Sequence, residues 1–162
     1  MRKGHIILCT LVAICVAACH NKPQATTAGD KESCRAAMFD TLRINKHILL
    51  DTLDANSPAL KIDIELLVPG DISPMVAQNM NACISYAAFG YEGLTAAKAA
   101  DSTVNSMKNE YLELRNDYIN EKTANPDAPW FNNYYTLHSN ASEGLHGNIC
   151  YTVDYEIYSG GA

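Results

Sequence analysis

Residues 60–69, LKIDIELLVP, constrain the fold more than any other stretch. Ile62, Ile64, Leu66 and Val68 fall on one side of an extended chain, while Lys61, Asp63 and Glu65 fall on the other. Successive side chains of a strand point to opposite faces, so one face here meets a core and the other meets water. That is the pattern of an antiparallel sheet covered on one side. The same alternation, less clean, marks residues 38–50 through Leu42, Ile44 and Ile48. An aromatic-rich strand is expected over 130–139 (WFNNYYTLHS). A second strong strand is expected over 149–158, with Ile149, Tyr151, Val153, Tyr155 and Ile157 on one face and Cys150, Thr152, Asp154, Glu156 and Tyr158 on the other. Residues 51–58, 125–129 and 140–147 read as loops by composition.

Between the two strand pairs the period changes. Pro69-Gly70 ends the second strand, and Asp71 is placed to cap a helix. Its apolar stripe is Ile72, Met75, Val76, Met80, Cys83, Ile84 and Ala87, and Phe89-Gly90 stops it. A second helix is expected from about Thr95 to Lys122, with Ala97, Ala100, Val104, Met107, Tyr111, Leu114 and Tyr118 on its core side. Asp101, Lys108, Glu110, Glu113, Arg115, Asp117 and Glu121 lie mostly outside that stripe and form a solvated face. The order β-β-α-α-β-β implies an α+β domain: an antiparallel sheet with two helices packed on one face.

The 162 residues, 48% of them apolar, suffice for one such domain. Twelve Lys and Arg against 18 Asp and Glu leave a net charge of −6, which argues against nucleic acid as a partner. The N-terminus sets an expected address. Arg2 and Lys3 precede the apolar run Ile6–Val16, which is too short for a bilayer span of about 20 residues. Val16-Ala17-Ala18-Cys19 follows, which resembles a bacterial lipobox at the end of a signal peptide. On that reading residues 1–18 are removed, Cys19 carries acyl chains that hold the protein to a membrane, and residues 19–36 are a polar tether to a domain over 37–162. Loss of Arg2 and Lys3 with the signal shifts the net charge from −6 to −8 over the remaining 144 residues. Cys34, Cys83 and Cys150 then remain, so at most one intramolecular disulfide can form. Cys83 sits on an apolar helix stripe and Cys150 has the opposite strand phase. The expectation is two unlinked thiols, with Cys83 buried in the core.

No catalytic signature is visible: no G-x-S-x-G, no H-E-x-x-H and no P-loop lysine motif. His47, His138 and His146 lie in different segments. His138 and His146 flank one loop, but exposed His near loops is ordinary, and no metal or other cofactor is expected. Asp154 and Glu156 share a strand face and read as part of a solvated sheet surface before a carboxylate pair. Tyr outnumbers the other aromatics, nine against three Phe and one Trp, and a phenol combines an apolar body with a wet hydroxyl. Tyr151 and Tyr155 share the face of Val153 and are expected in the core. Tyr158 lies on the other face and is the contact candidate.

The stretch Cys150-Tyr-Thr-Val-Asp-Tyr-Glu-Ile-Tyr-Ser-Gly-Gly-Ala162 resembles the "SYTV-x-Y-x-x-YTGGAH" segment of an envelope module. That module is shared by PdaC-type peptidoglycan deacetylases, outside their catalytic region, and by RsiV-type lysozyme-sensing anti-sigma factors. KIDIELLVPG, AAFG, YLELRNDYINE and PWFNNYYTLHSN follow the module's order, so the resemblance covers roughly residues 37–162. Ser159 stands where Thr is commoner, and the sequence reaches Ala162 where the motif goes on to His and a second α/β half. The resemblance therefore implies the N-terminal half alone, cut within its signature. Together with the lipobox-like run at Cys19, it points to a non-enzymatic, lipid-anchored module that binds or senses a wall component or a wall-attacking protein such as lysozyme, with peptidoglycan the other partner to consider. The alternatives are a non-catalytic accessory region of a peptidoglycan-modifying enzyme and a fragment without function. With its neighbour missing, the last strand is expected at a sheet edge. Binding would then use that edge and the wet face of Tyr158, Glu156 and Asp154, with Gly160 and Gly161 letting backbone approach a partner.

Overall fold

The computed structural model describes residues 38–125, 131–143 and 148–160. Two strands, β1 (Phe39–Leu49) and β2 (Ala59–Pro69), are followed by three helices: α1 (Pro74–Phe89), α2 (Ala96–Glu113) and α3 (Arg115–Ala124). Two more strands, β3 (Asn133–Glu143) and β4 (Ile149–Ser159), complete one four-stranded sheet in the order β1-β2-β3-β4. The α+β class and the element order are those the sequence predicts, and the helices lie on one face. Ile62, Ile64 and Leu66 of β2 are buried beneath them while Lys61 and Asp63 are exposed on the other side.

The sheet is mixed where a wholly antiparallel one was expected. β1·β2 and β3·β4 are antiparallel, but β2 and β3 run parallel, with Ile62 opposite Tyr135 and Ile64 opposite Leu137. The cause is the connection. Parallel neighbours need a long crossover, and all three helices lie between β2 and β3. The parallel ladder ends at Glu65↔His138. Beyond it two side chains take over from the backbone. Ser139 Oγ accepts from the Leu67 N–H at 2.7 Å, and the Tyr151 hydroxyl donates to the Leu67 carbonyl at 2.8 Å. Tyr151 reaches β2 by lying over its cross-strand partner Ala141, which is small and buried.

Helix boundaries depart from the sequence reading in two places. α1 starts at Pro74 with Ser73 at its N-cap, not at Asp71. Proline already holds the φ a first helical turn requires. The expected single helix over 95–122 is broken at Leu114, whose N–H bonds to Tyr111 O in a tight i→i−3 turn. No Gly or Pro marks that break. It redirects α3 so that its side chains clamp the β1–β2 loop: Arg115 pairs with Asp51 at 3.3 Å, and Tyr118 and Lys122 both reach Asp54. The Lys122 ammonium beside Asp54, with the Asn56 N–H and Tyr118 hydroxyl, holds that carboxyl below its ordinary value.

Buried polar groups fix the helices to one another. Asn81 of α1 accepts from the N–H of Ala96, a fully buried residue at the first position of α2. Ser85, also fully buried, donates to Tyr91 O and so pins the α1–α2 loop. Gly90 ends α1 in the left-handed region at φ 74°, where a side chain would be strained. Ala99 and Ala100 are fully buried in α2. The main core gathers Leu60, Ile62, Ile64, Leu66, Ile84, Val104, Tyr111 and Leu137, and a second cluster joins Phe39, Met80 and Ala141.

Candidate functional site

The inner face of β4 was expected under the helices, and it is only partly covered. Tyr151, Val153 and Tyr155 are half-buried, and Ile157 is 47% exposed. The Tyr and Val side chains still pack toward the core, but α1 sits over β2 and leaves a groove between itself and β4. The groove has a volume of about 680 Å³, within the usual range for ligand-binding clefts. Met80, Cys83, Tyr86 and Phe89 of α1 form one wall and Ile149, Tyr151, Val153, Tyr155 and Ile157 form the floor, with Phe39 beside Tyr151 towards one end and Tyr135 beside Ile157 towards the other. Among the described residues no charged side chain lines it.

Cys83 is exposed and lines this groove, contrary to the expectation of a buried core thiol. Its place on the apolar stripe of α1 was right, but the edge of the stripe that it occupies faces the groove instead of the sheet. Cys83 and Cys150 are both free thiols. Burial pushes the hydroxyls of Tyr135 and Tyr151 up to about 12. Both phenols are therefore protonated at neutral pH. They can donate hydrogen bonds, as Tyr151 does to Leu67.

The predicted contact residues lie on the opposite face of the same strand. Tyr158 is half-buried, its ring 5.6 Å from that of its cross-strand partner Tyr134, and Lys61 Nζ lies 5.4 Å from the centre of the Tyr134 ring. Asp154 and Glu156 are exposed, opposite His138 and Thr136 in register. The structure thus brings Tyr158 into an aromatic pair. It spaces the two carboxylates along a solvated strand. Gly160 closes the strand, its N–H held by Asn132 O and Asn133 Oδ1 at 3.1 and 3.0 Å. Gly161, Cys19 and His146 lie outside the described residues. Among the described residues no group of His, Cys, Asp and Glu is placed to hold a metal ion, and no helix is long and apolar enough to cross a membrane.

β4 pairs with β3. Among the described residues no further strand pairs with it, and its outer row of backbone N–H and C=O groups forms a rim beside the groove. Sequence reasoning found the edge and the wet face but missed the groove. The signal was present in the uncharged inward residues of β4. Nothing in the sequence states which strands the helices sit on.

No protein-family model matches the chain, and no curated protein matches it. Among solved structures it is similar to a crystal structure of a DUF3298 family member from Bacteroides fragilis, with a TM-score of 0.67 and 23% sequence identity. The match covers 76% of this chain and 50% of that one, so the chain spans about half the length of its structural neighbour. At that identity the likeness concerns the fold: this sheet, with helices on one face, is an architecture the two chains share.

Proposed function

We propose that the chain is a lipid-anchored binding or sensing module of the bacterial cell envelope, without catalytic machinery of its own. The observation that carries this reading is the uncharged groove of about 680 Å³ beside the edge of β4. A concave apolar surface next to a strand edge is equipped to hold a partner. The fold shared with a DUF3298 family member is consistent with the envelope-module resemblance, and the Cys19 run supports the address. The acidic chain, with Asp154 and Glu156 on its wet face, suits a basic wall-attacking protein such as lysozyme. Peptidoglycan fragments are the second partner to try.

Two measurements test the proposal. Cells fed labelled palmitate should label the wild-type protein and not Cys19→Ser; equal label in both removes the anchor. The chain lacking residues 1–19 should bind lysozyme at low salt and lose it as salt rises, since exposed charges are screened beyond about 8 Å at physiological ionic strength. Incubated alone with acetylated glycan oligomers, it should release no acetate. Acetate release would make it an enzyme and overturn the reading.

A further inference from the structure

We propose that the edge of β4 accepts an extended segment of another polypeptide, with aliphatic side chains toward the groove alternating with basic side chains toward the outer face. The inference rests on the binding-module reading and specifies its partner. The two edges of the sheet are not alike. On β1, Lys46 stands opposite Ile62 and in phase with Ile44 and Ile48, so this charge lies on the face that the helices cover, and it is exposed. Inward-pointing charge on an edge strand is a device against pairing with other chains. β4 has no such device. Its 11 residues include no Pro, Gly or Lys, and all six positions in the inward phase, from Ile149 to Ser159, are uncharged.

The groove says what the inward residues of an added strand would be. They would land beside Val153, Tyr155 and Ile157 and remove that apolar surface from water, which favours aliphatic side chains. The outer face says what the intervening residues would be. Asp154 and Glu156 are exposed there, two residues apart on one row. Opposite charges across strands attract and like charges repel. A second copy pairing through its own β4 would set the carboxylates of both copies on one face, in a chain that already carries −6. A basic segment meets complementary charge instead. In strand addition the backbone bonds supply affinity and the alternating side chains supply selectivity.

The test uses the chain lacking residues 1–19, which keeps every buried residue of the described core, since these run from Phe39 to Ala141. The probes are a short peptide alternating Lys and Val, a block peptide of the same composition, and a peptide alternating Glu and Val. The Lys–Val peptide should bind, more weakly as salt rises, and should slow exchange of β4 amides. The block peptide should not. Asp154→Lys/Glu156→Lys, both changes at exposed positions, should weaken the Lys–Val peptide by about tenfold or more and prefer the Glu–Val peptide. Val153→Lys, an inward charge, should abolish binding of both alternating peptides. Equal binding of block and alternating peptides, or affinity unmoved by the charge reversal, overturns the proposal. So does a β4–β4 dimer in sedimentation, or capture of decanoate with no peptide bound. Binding of lysozyme or wall fragments without any peptide binding leaves the module reading standing and overturns strand addition alone.

Discussion

Truncating Leu137 to Ala is expected to cost about 2–5 kcal/mol of folding stability, while Ile157→Ala costs about 1 kcal/mol or less. Both residues point to the helix-covered face of the sheet, on adjacent strands. Leu137 is 0% exposed, opposite Ile64 of β2, which is also 0% exposed. Removing its side chain leaves a cavity that close-packed neighbours cannot refill. Ile157 is 47% exposed at the groove rim, so its loss removes little buried surface. Equilibrium urea unfolding of the two variants measures the difference. Comparable costs at the two positions would mean that the inner face of β4 is as covered as that of β3, and the groove would be closed in solution.

The second large effect is expected at Ala141. Its side chain is 1% exposed, and the Tyr151 ring passes over it to reach Leu67 O at 2.8 Å. Ala141→Leu places a branched side chain beneath that ring. Overpacking of this kind costs about 1–3 kcal/mol. Displacing the hydroxyl also leaves the Leu67 carbonyl without its partner, a further 1–3 kcal/mol or so. Tyr151→Phe isolates the second part and should cost about 1–2 kcal/mol. Because the two residues touch, their effects should not add, and a double-mutant cycle reads the coupling. Spectrophotometric titration gives an independent check. Burial holds the Tyr151 hydroxyl up at about 12, and in Ala141→Leu it should fall toward the ordinary phenol value of about 10. A variant with unchanged stability and titration would show that Tyr151 does not bridge β4 to β2.

Alternation made most of the strands legible. The run 60–69 became β2 over Ala59–Pro69, and 149–158 became β4 over Ile149–Ser159, because an apolar residue at every second position leaves one way to bury it. β3 runs on to Glu143, through residues that composition assigns to a loop. Ala141 has no strand propensity to announce it; its burial under Tyr151 makes it part of the sheet. The parallel pairing of β2 and β3 was not legible, since the hydrophobic pattern of a strand is the same whichever way its neighbour runs. The break at Leu114 was hidden for a similar reason. It is set by what Arg115, Tyr118 and Lys122 reach on another loop, not by a local breaker. The candidate site divides in the same way. Asp154, Glu156 and Tyr158 could be placed on one face from phase alone. The groove depends on where α1 sits across the sheet, which is a tertiary fact.

The central claim is that β4 presents an open edge beside that groove, and amide hydrogen exchange resolved residue by residue tests it most directly. Amides of Ile62 and Ile64, inside the sheet, should exchange at the rate of global unfolding. In an antiparallel pair the backbone of an edge strand bonds its neighbour at every second residue. Along 149–159 slow and fast amides should therefore alternate, the fast ones pointing away from β3. Uniform slow exchange along β4 would contradict the account, because it would mean that the edge is already paired.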